Sequence, residues 1–112
     1  MKREINKLLF DIQQATEDIK QFINNIDYSE FEKSNLIQAA VERKFEIIGE
    51  ALNRIKRFDS EFIEKITDYR RIIGFRNIIA HGYDIIECEV IWAAAKKHLP
   101  ILKQEVDEYI NT

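Results

Sequence analysis

The sequence predicts an all-α protein, and three features of its 112 residues support that prediction. Apolar residues recur at helical spacing along most of the chain. Only three glycines and one proline are present, so few positions force a helix to stop. Apolar residues make up 46% and charged residues 33%, a balance typical of a globular domain. We therefore predict a single domain over residues 1–112, folded as an antiparallel bundle of four main helices with extra short helices.

The first two predicted helices are long and amphipathic. The first carries an apolar face formed by Ile5, Leu8, Leu9, Ile12, Ala15, Ile19, Phe22, Ile23 and Ile26. Asn24 and Asn25 weaken its end, and Ser29 with Glu32 has the spacing of a capping box that would start the second helix. The apolar stripe of this second helix consists of Ile37, Val41, Phe45, Ile48, Leu52 and Ile55.

A short helical turn over residues 61–66 is predicted to precede the third helix. Thr67 or Asp68 could cap that helix, and Gly82 is well placed to stop it, because glycine tolerates the left-handed conformation that ends many helices.

The fourth predicted helix begins near Glu87 and turns Ile91, Trp92 and Ala95 inward. Pro100 must break or kink it, since the proline ring clashes with the carbonyl four residues back. An amphipathic tail helix follows. His98 precedes the break and is most simply a C-terminal cap.

Composition excludes several classes of function. The formal net charge of −3 argues against a protein that coats nucleic acid through a broad basic surface, although a local basic cleft stays possible. Cys88 is the only cysteine, which excludes an intrachain disulfide and a thiolate zinc site within one chain. The N-terminal residues lack the apolar core of a signal peptide, and no stretch is apolar enough to span a membrane. We predict a cytoplasmic protein.

The third helix contains an anomaly, because Arg76 falls in the middle of its apolar stripe. That stripe is formed by Tyr69, Ile72, Ile73, Ile79, Ala80 and Tyr83. An arginine in such a position costs free energy unless its guanidinium reaches a partner or a polar cavity. It could snorkel to solvent, pair with a nearby carboxylate, or serve a functional site.

The neighbours of Arg76 point to chemistry at phosphate. Asn77 and His81 line the adjacent stripe, and an unwound last turn before Gly82 could swing His81 and Tyr83 towards Arg76. A fixed positive charge, a group that titrates near neutrality and a phenol would then share one segment. The same set would also suit a polar dimer seam.

The polar side of the second helix offers a possible complement to Arg76. It carries Arg43, Glu46, Glu50, Asn53 and Arg57, interrupted by Gly49. These residues could form a solvated face with ion pairs inside the helix, or Glu46 or Glu50 could face the third helix and orient Arg76 or His81. A metal site of Glu46, Glu50 and His81 is conceivable, but no recognised ligand spacing supports it, and we predict neither a metal nor another cofactor.

Taken together, these residues resemble those of a known family. The segment from Arg76 to Tyr83 has the form Arg, four residues, His, one residue, Tyr, which resembles the signature of HepT-like proteins in the HEPN superfamily. The block Phe45-Glu46-Ile47-Ile48-Gly49-Glu50-Ala51 resembles the family's other recurrent segment, and Trp92 and Leu99-Pro100 lie at familiar positions. The similarity spans nearly the whole chain, although many relatives have a charged residue in place of Gly82.

The resemblance implies a HEPN-like fold and a function. HepT-like proteins are helical homodimeric toxins, described as metal-independent ribonucleases whose Arg and His motifs meet at the dimer interface. Their antitoxins are small MntA-like nucleotidyltransferases, which in some pairs attach AMP to the motif tyrosine. By position, Arg76 and His81 would be catalytic towards RNA and Tyr83 would accept AMP. From the helix faces themselves we predict Asn77, Glu46 and Glu50 as supporting residues.

Two other readings of the same residues stay open. In the first, the chain is a non-catalytic binding module that holds a nucleotide or the partner nucleotidyltransferase. In the second, it is a purely structural helical dimer in which Arg76 makes a buried ion pair.

Overall fold

The computed structural model describes residues 2–81 and 87–110, apart from the side chains of Lys2, Ala80 and His81. Within these ranges every regular element is helical, which confirms the all-α class. The helices are α1 (Lys2–Ile23), α2 (Tyr28–Lys33), α3 (Asn35–Phe58), α4 (Tyr69–His81), α5 (Cys88–Ala93) and α6 (Leu99–Ile110). A 3₁₀ helix, Ile63–Lys65, precedes α4, and a π-helical segment, Ala94–His98, joins α5 to α6. Among the helices described, none is both long enough and apolar enough to cross a membrane.

Helix α3 lies at the centre of the molecule, packed against α1 and α4, and α6 packs against α1. The predicted stripe of α3 is confirmed: Val41, Phe45, Ile48, Leu52 and Ile55 are fully buried, and Ile37 is partly buried against the core. The predicted face of α1 is also buried from Ile5 to Ile23, except for Phe22, which is 37% exposed. Ile26, which was predicted to continue this face, lies beyond the end of the helix and is partly buried. Periodic apolar residues therefore build the core, as expected for amphipathic helices.

The predicted capping box of Ser29 and Glu32 is wrong. Asp27 and Glu30 form it instead: the Asp27 carboxylate accepts from the Glu30 amide at 2.9 Å, and the Glu30 carboxylate accepts from the Asp27 amide at 3.4 Å. This box starts the six-residue α2, whose Phe31 is buried against Trp92. The hydroxyl of Ser34 then accepts from the amide of Ile37 at 3.1 Å and caps the long α3. The spacing rule was satisfied twice, and the chain uses the earlier pair to insert a short helix.

Side chains of α6 and of the π-helical segment contact the residues at the start of α4. Asp68 has a φ of 60° and its carbonyl accepts from the Ile72 amide at 3.3 Å, so it immediately precedes the helix. Thr67 instead donates through its hydroxyl to Glu105 at 2.8 Å. The Asp68 carboxylate lies 3.2 Å from Nδ1 of His98, whose Nε2 lies 2.8 Å from the Arg71 guanidinium. The predicted C-terminal cap role of His98 is therefore wrong: its ring joins α4, and the helical path continues into α6.

The fourth predicted helix is interrupted where Pro100 requires it. Glu87 immediately precedes α5, as expected, and the interruption takes the form of the π-helical segment just before Pro100. Proline cannot donate to the carbonyl four residues back, and a π-helical turn is one common way to absorb that loss. Ile91 and Ala95 are buried as predicted, and Trp92 is partly buried.

Candidate active site

The candidate site begins with a close approach of α3 and α4 at Gly49. A Cβ placed on this glycine would overlap the Cβ of Arg76 and lie 3.0 Å from its Cγ. It would also lie 3.1 Å from the carbonyl oxygen of Ile72. Glycine is thus required here because any side chain would push the helices apart. Because Gly49 has no side chain, the Cβ and Cγ of Arg76 can occupy the space next to the α3 backbone.

The guanidinium of Arg76 is held by one residue from each helix. Its Nη2 lies 2.9 Å from a carboxylate oxygen of Glu50 on α3. Its Nη1 donates to the side-chain oxygen of Asn77 at 3.0 Å. Nε is buried and has no hydrogen-bond acceptor among the described residues. The side chain of Arg76 is 24% exposed, so this charge is partly withdrawn from solvent but open on one side.

Arg76 lies in a polar cavity of about 310 Å³, which we call the arginine pocket. The cavity runs from α4 across α3 to α1. Its described lining consists of Leu8, Asp11, Arg43, Glu46, Ile47, Glu50, Ala51, Arg54 and Arg76. Three arginines and three carboxylates thus line one open cavity, and the arginines supply the planar hydrogen-bond donors that can bind phosphate or carboxylate groups.

The two glutamates of the pocket form different ion pairs. Glu46 accepts from Nη1 of Arg43 at 2.8 Å, an ion pair within α3. Glu50 bridges two arginines, with Arg76 at 2.9 Å and Arg57 at 3.8 Å. Both predictions for this helix face therefore hold in part: Glu46 forms an ion pair within α3, and Glu50 forms one with Arg76 on α4.

The structure brings together Arg76, Asn77 and Glu50, three of the residues that the sequence singled out. Glu46 lines the same pocket without an ion pair to Arg76 among the described contacts. The His81 side chain, Gly82 and Tyr83 lie outside the described residues, so the meeting of Arg76, His81 and Tyr83 stays a prediction. In the described part of the chain, no group of three His, Cys, Asp or Glu side chains could hold a metal ion.

Sequence reasoning missed two features of the pocket. It noted Gly49 only as an interruption, although a glycine inside a long helix is a signal of close packing. It also passed over Arg54, which follows Glu50 by four residues and therefore shares its helix face. The contribution of α1, through Leu8 and Asp11, carried no local signal because it depends on how the helices pack.

Comparison with known proteins shows what the chain is similar to. The family model described as Ribonuclease HepT-like matches residues 12–109. A Methanocaldococcus jannaschii protein named "Putative RNase" is 36% identical over 108 residues, covering 95% of this chain and 96% of that protein. A Thermococcus cleftensis protein named "Probable ribonuclease HepT" is 32% identical over 108 residues, covering 96% and 97%. No solved structure matches the chain significantly.

Proposed function

Because the chain belongs to the ribonuclease HepT-like family, we propose that it is a metal-independent endoribonuclease with Arg76 and His81 as its catalytic residues. The observation that carries the proposal is the placement of Arg76. The glycine contact, the Glu50 carboxylate and the Asn77 amide hold one guanidinium at an open cavity. A side chain kept only for stability has no need of an open cavity.

The proposed reaction uses the 2′-hydroxyl of RNA itself. Its oxygen attacks the adjacent phosphorus, a base takes the hydroxyl proton, and an acid protonates the leaving 5′-oxygen as the phosphorus–oxygen bond breaks. The products are a 2′,3′-cyclic phosphate and a free 5′-hydroxyl. Arg76 would stabilise the crowded phosphorane, since its planar guanidinium can hold two phosphate oxygens. His81 would transfer protons, because an imidazole exists in both forms near neutral pH.

A single chain supplies only one motif histidine, so we include a homodimer of four-helix bundles in the proposal. A twofold interface would bring His81 from each copy to one cleft. The surface of α4 supports this: Ile73, Phe75, Ile78 and Ile79 are only partly buried within one chain. A Cβ on Gly74 would meet nothing within 4 Å in the described structure, so a second copy could approach here.

The first experiment compares RNA cleavage and growth arrest for the wild type, Arg76→Ala and His81→Ala. Each substitution should lower cleavage about a hundredfold or more, the usual loss when a transition-state or proton-transfer group is removed. Arg70→Ala is the matched control, since Arg70 is an exposed arginine of α4 that pairs with Glu64 at 3.0 Å, outside the arginine pocket. Two motif variants as active as the wild type would end the ribonuclease proposal.

The chemistry of the products gives a second test. Cleavage by purified protein in the presence of a strong chelator, with 2′,3′-cyclic phosphate ends, is expected for attack by the 2′-hydroxyl. Loss of activity under chelation, restored by a divalent cation, would contradict metal independence. An RNA with 2′-O-methyl groups should resist cleavage.

We also propose that the chain is the toxin of a two-component pair in the cytoplasm, neutralised by an MntA-like nucleotidyltransferase that attaches AMP to Tyr83. The support is the resemblance of the segment from Arg76 to Tyr83 to the family signature. AMP next to the catalytic groups would add bulk and negative charge and so exclude RNA. Mass spectrometry after incubation with a purified MntA-like nucleotidyltransferase and ATP should show added AMP on the wild type. Tyr83→Phe should stay unmodified.

The alternative is a non-catalytic module that binds a nucleotide or the partner nucleotidyltransferase. The modest basic content favours it, because 17 lysines and arginines against 20 acidic residues offer few cations for holding an RNA substrate. This alternative predicts binding of RNA or nucleotide without any cyclic-phosphate product. The chelated cleavage assay therefore separates the two functions.

A further inference from the structure

Arg54 differs from the other arginines near the pocket in its charge partners. Arg43 pairs with Glu46, and both Arg57 and Arg76 pair with Glu50. Arg54 lines the arginine pocket and is exposed to solvent. Within the part of the chain that the structure describes, it has no hydrogen bond and no carboxylate within 4.0 Å.

The partners nearest in sequence are already engaged. Glu50, one turn before Arg54, lies between Arg76 and Arg57. Asp11, on the α1 wall of the pocket, is paired with Lys7 at 3.0 Å. Among the described residues, the positive charge of Arg54 thus has no carboxylate partner and can meet a ligand in the pocket, whereas the charge of Arg76 is balanced by Glu50.

We infer that Arg54 is a phosphate-binding residue that holds the RNA backbone next to the cleavage site. The inference rests on the proposed ribonuclease function and extends it to a substrate-binding position. A strand that places its reacting phosphate at Arg76 must continue along the pocket, whose wall on α3 extends from Arg43 to Arg54. That wall is about 16 Å long at 1.5 Å per helical residue.

Because the protein carries a net negative charge, it needs local positive side chains such as Arg54 to bind RNA. With 17 basic and 20 acidic residues, the protein cannot attract RNA through its overall charge. A flexible single strand can instead follow a groove with a few well-placed cations. The contact would be with phosphate, so it should be independent of base sequence.

The test measures binding of a fluorescent single-stranded RNA of mixed sequence with 2′-O-methyl groups, which cannot be cut by 2′-hydroxyl attack. Arg54→Gln should weaken binding roughly five- to tenfold. The slope of log binding constant against log salt should become less steep by about 0.7, the value for one phosphate contact on a single strand. In cleavage of ordinary RNA, KM should rise while kcat changes little, because the contact is made equally in ground and transition states.

Two variants make the test specific. Lys56→Gln removes an exposed cation from α3 outside the arginine pocket and should leave the salt slope unchanged. Arg54→Lys keeps the charge and should restore most of the slope, since lysine binds phosphate as a point charge. Thermal unfolding should be the same for all three variants, as the substituted side chains are exposed.

The outcomes separate this inference from the proposed function. An Arg54→Gln protein with wild-type affinity and salt slope overturns the inference, even if the wild type cuts RNA. An Arg54-dependent slope without any cleavage supports the binding site and rejects the nuclease. A loss of slope equally large in Lys56→Gln would show general charge attraction and would also overturn the assignment of Arg54.

Discussion

The two long partners of α3 meet it in different ways. Against α1 the contact is a continuous apolar layer, with an ion pair between Asp18 and Lys44 at 2.9 Å. Against α4 the contact is built around a glycine, a partly buried arginine and a glutamate. The α1 contact is the arrangement expected for stability, whereas the α4 contact places a charge at an open cavity. Substitutions on the two sides should therefore have different consequences.

The largest loss of stability should come from the apolar core of α3. Phe45 is fully buried and packs edge-on against Phe75, with ring centroids 5.9 Å apart. Phe45→Ala should reduce the free energy of unfolding by about 3–5 kcal/mol, through lost burial and the cavity left behind. Phe10→Ala is the control, because Phe10 is 54% exposed and should change stability by less than about 0.5 kcal/mol. Similar effects of the two in urea unfolding would contradict the assignment of the core.

Gly49 on α3 and Gly74 on α4 should respond in opposite ways to substitution by alanine. Gly49→Ala should cost about 1–3 kcal/mol and reduce RNA cleavage, because the methyl group must displace Arg76 or separate α3 from α4. Within a single chain Gly74→Ala meets open space and should stabilise α4 by up to about 1 kcal/mol, but it should weaken the proposed dimer, whose second copy would approach at this position. Urea denaturation measures the change in the free energy of unfolding for each variant.

Results opposite to these at the two glycines would change the description of both faces of α4. A harmless Gly49→Ala would show that the close approach of α3 and α4 is not required. A Gly74→Ala variant that is less stable, with a weakened dimer in sedimentation, would show that a second copy packs on this face.

The ion pair of Arg76 and Glu50 should matter more for cleavage than for stability. The two side chains are 24% and 39% exposed, so their coupling in a double-mutant cycle of unfolding should be below about 1 kcal/mol. Glu50→Gln should nevertheless lower kcat, because the guanidinium loses the group that orients it. A strong coupling in stability with no effect on cleavage would support the purely structural reading of Arg76.

The smallest effect concerns acid stability on the α1 side. A hydrogen bond from Lys44 holds the pKa of Asp18 below its ordinary value of 3.8, and one from Gln13 lowers the pKa of Asp107. A lowered carboxyl pKa stabilises the folded state above the ordinary value, and this contribution is lost as the pH falls through the folded-state pKa. Stability should therefore drop below about pH 3.8, with a smaller drop in Asp18→Asn, as followed by circular dichroism. An unchanged acid profile in Asp18→Asn would contradict this role.

Much of the fold could be predicted from local patterns. The apolar stripes of α1 and α3 and the break before Pro100 were all visible, because helical periodicity and the missing proline amide act over a few residues. The capping box was placed one pair too late, because two pairs satisfied the same spacing and the local sequence does not choose between them. In the fold, the earlier pair starts the short α2, which buries Phe31.

The candidate site divides in the same way between sequence and tertiary structure. The sequence alone identified Arg76 as an unusual residue in an apolar stripe and named Glu46 or Glu50, together with Asn77, as candidate supporting residues, since those signals lie within single helices. Only the packing of α3 against α4 decided that Glu50, and not Glu46, meets Arg76, and that Gly49 makes room for it. The sequence also could not show that Arg54 lacks a carboxylate partner among the described residues. That depends on the ion pairs that Glu50 and Asp11 form with other residues in the folded protein.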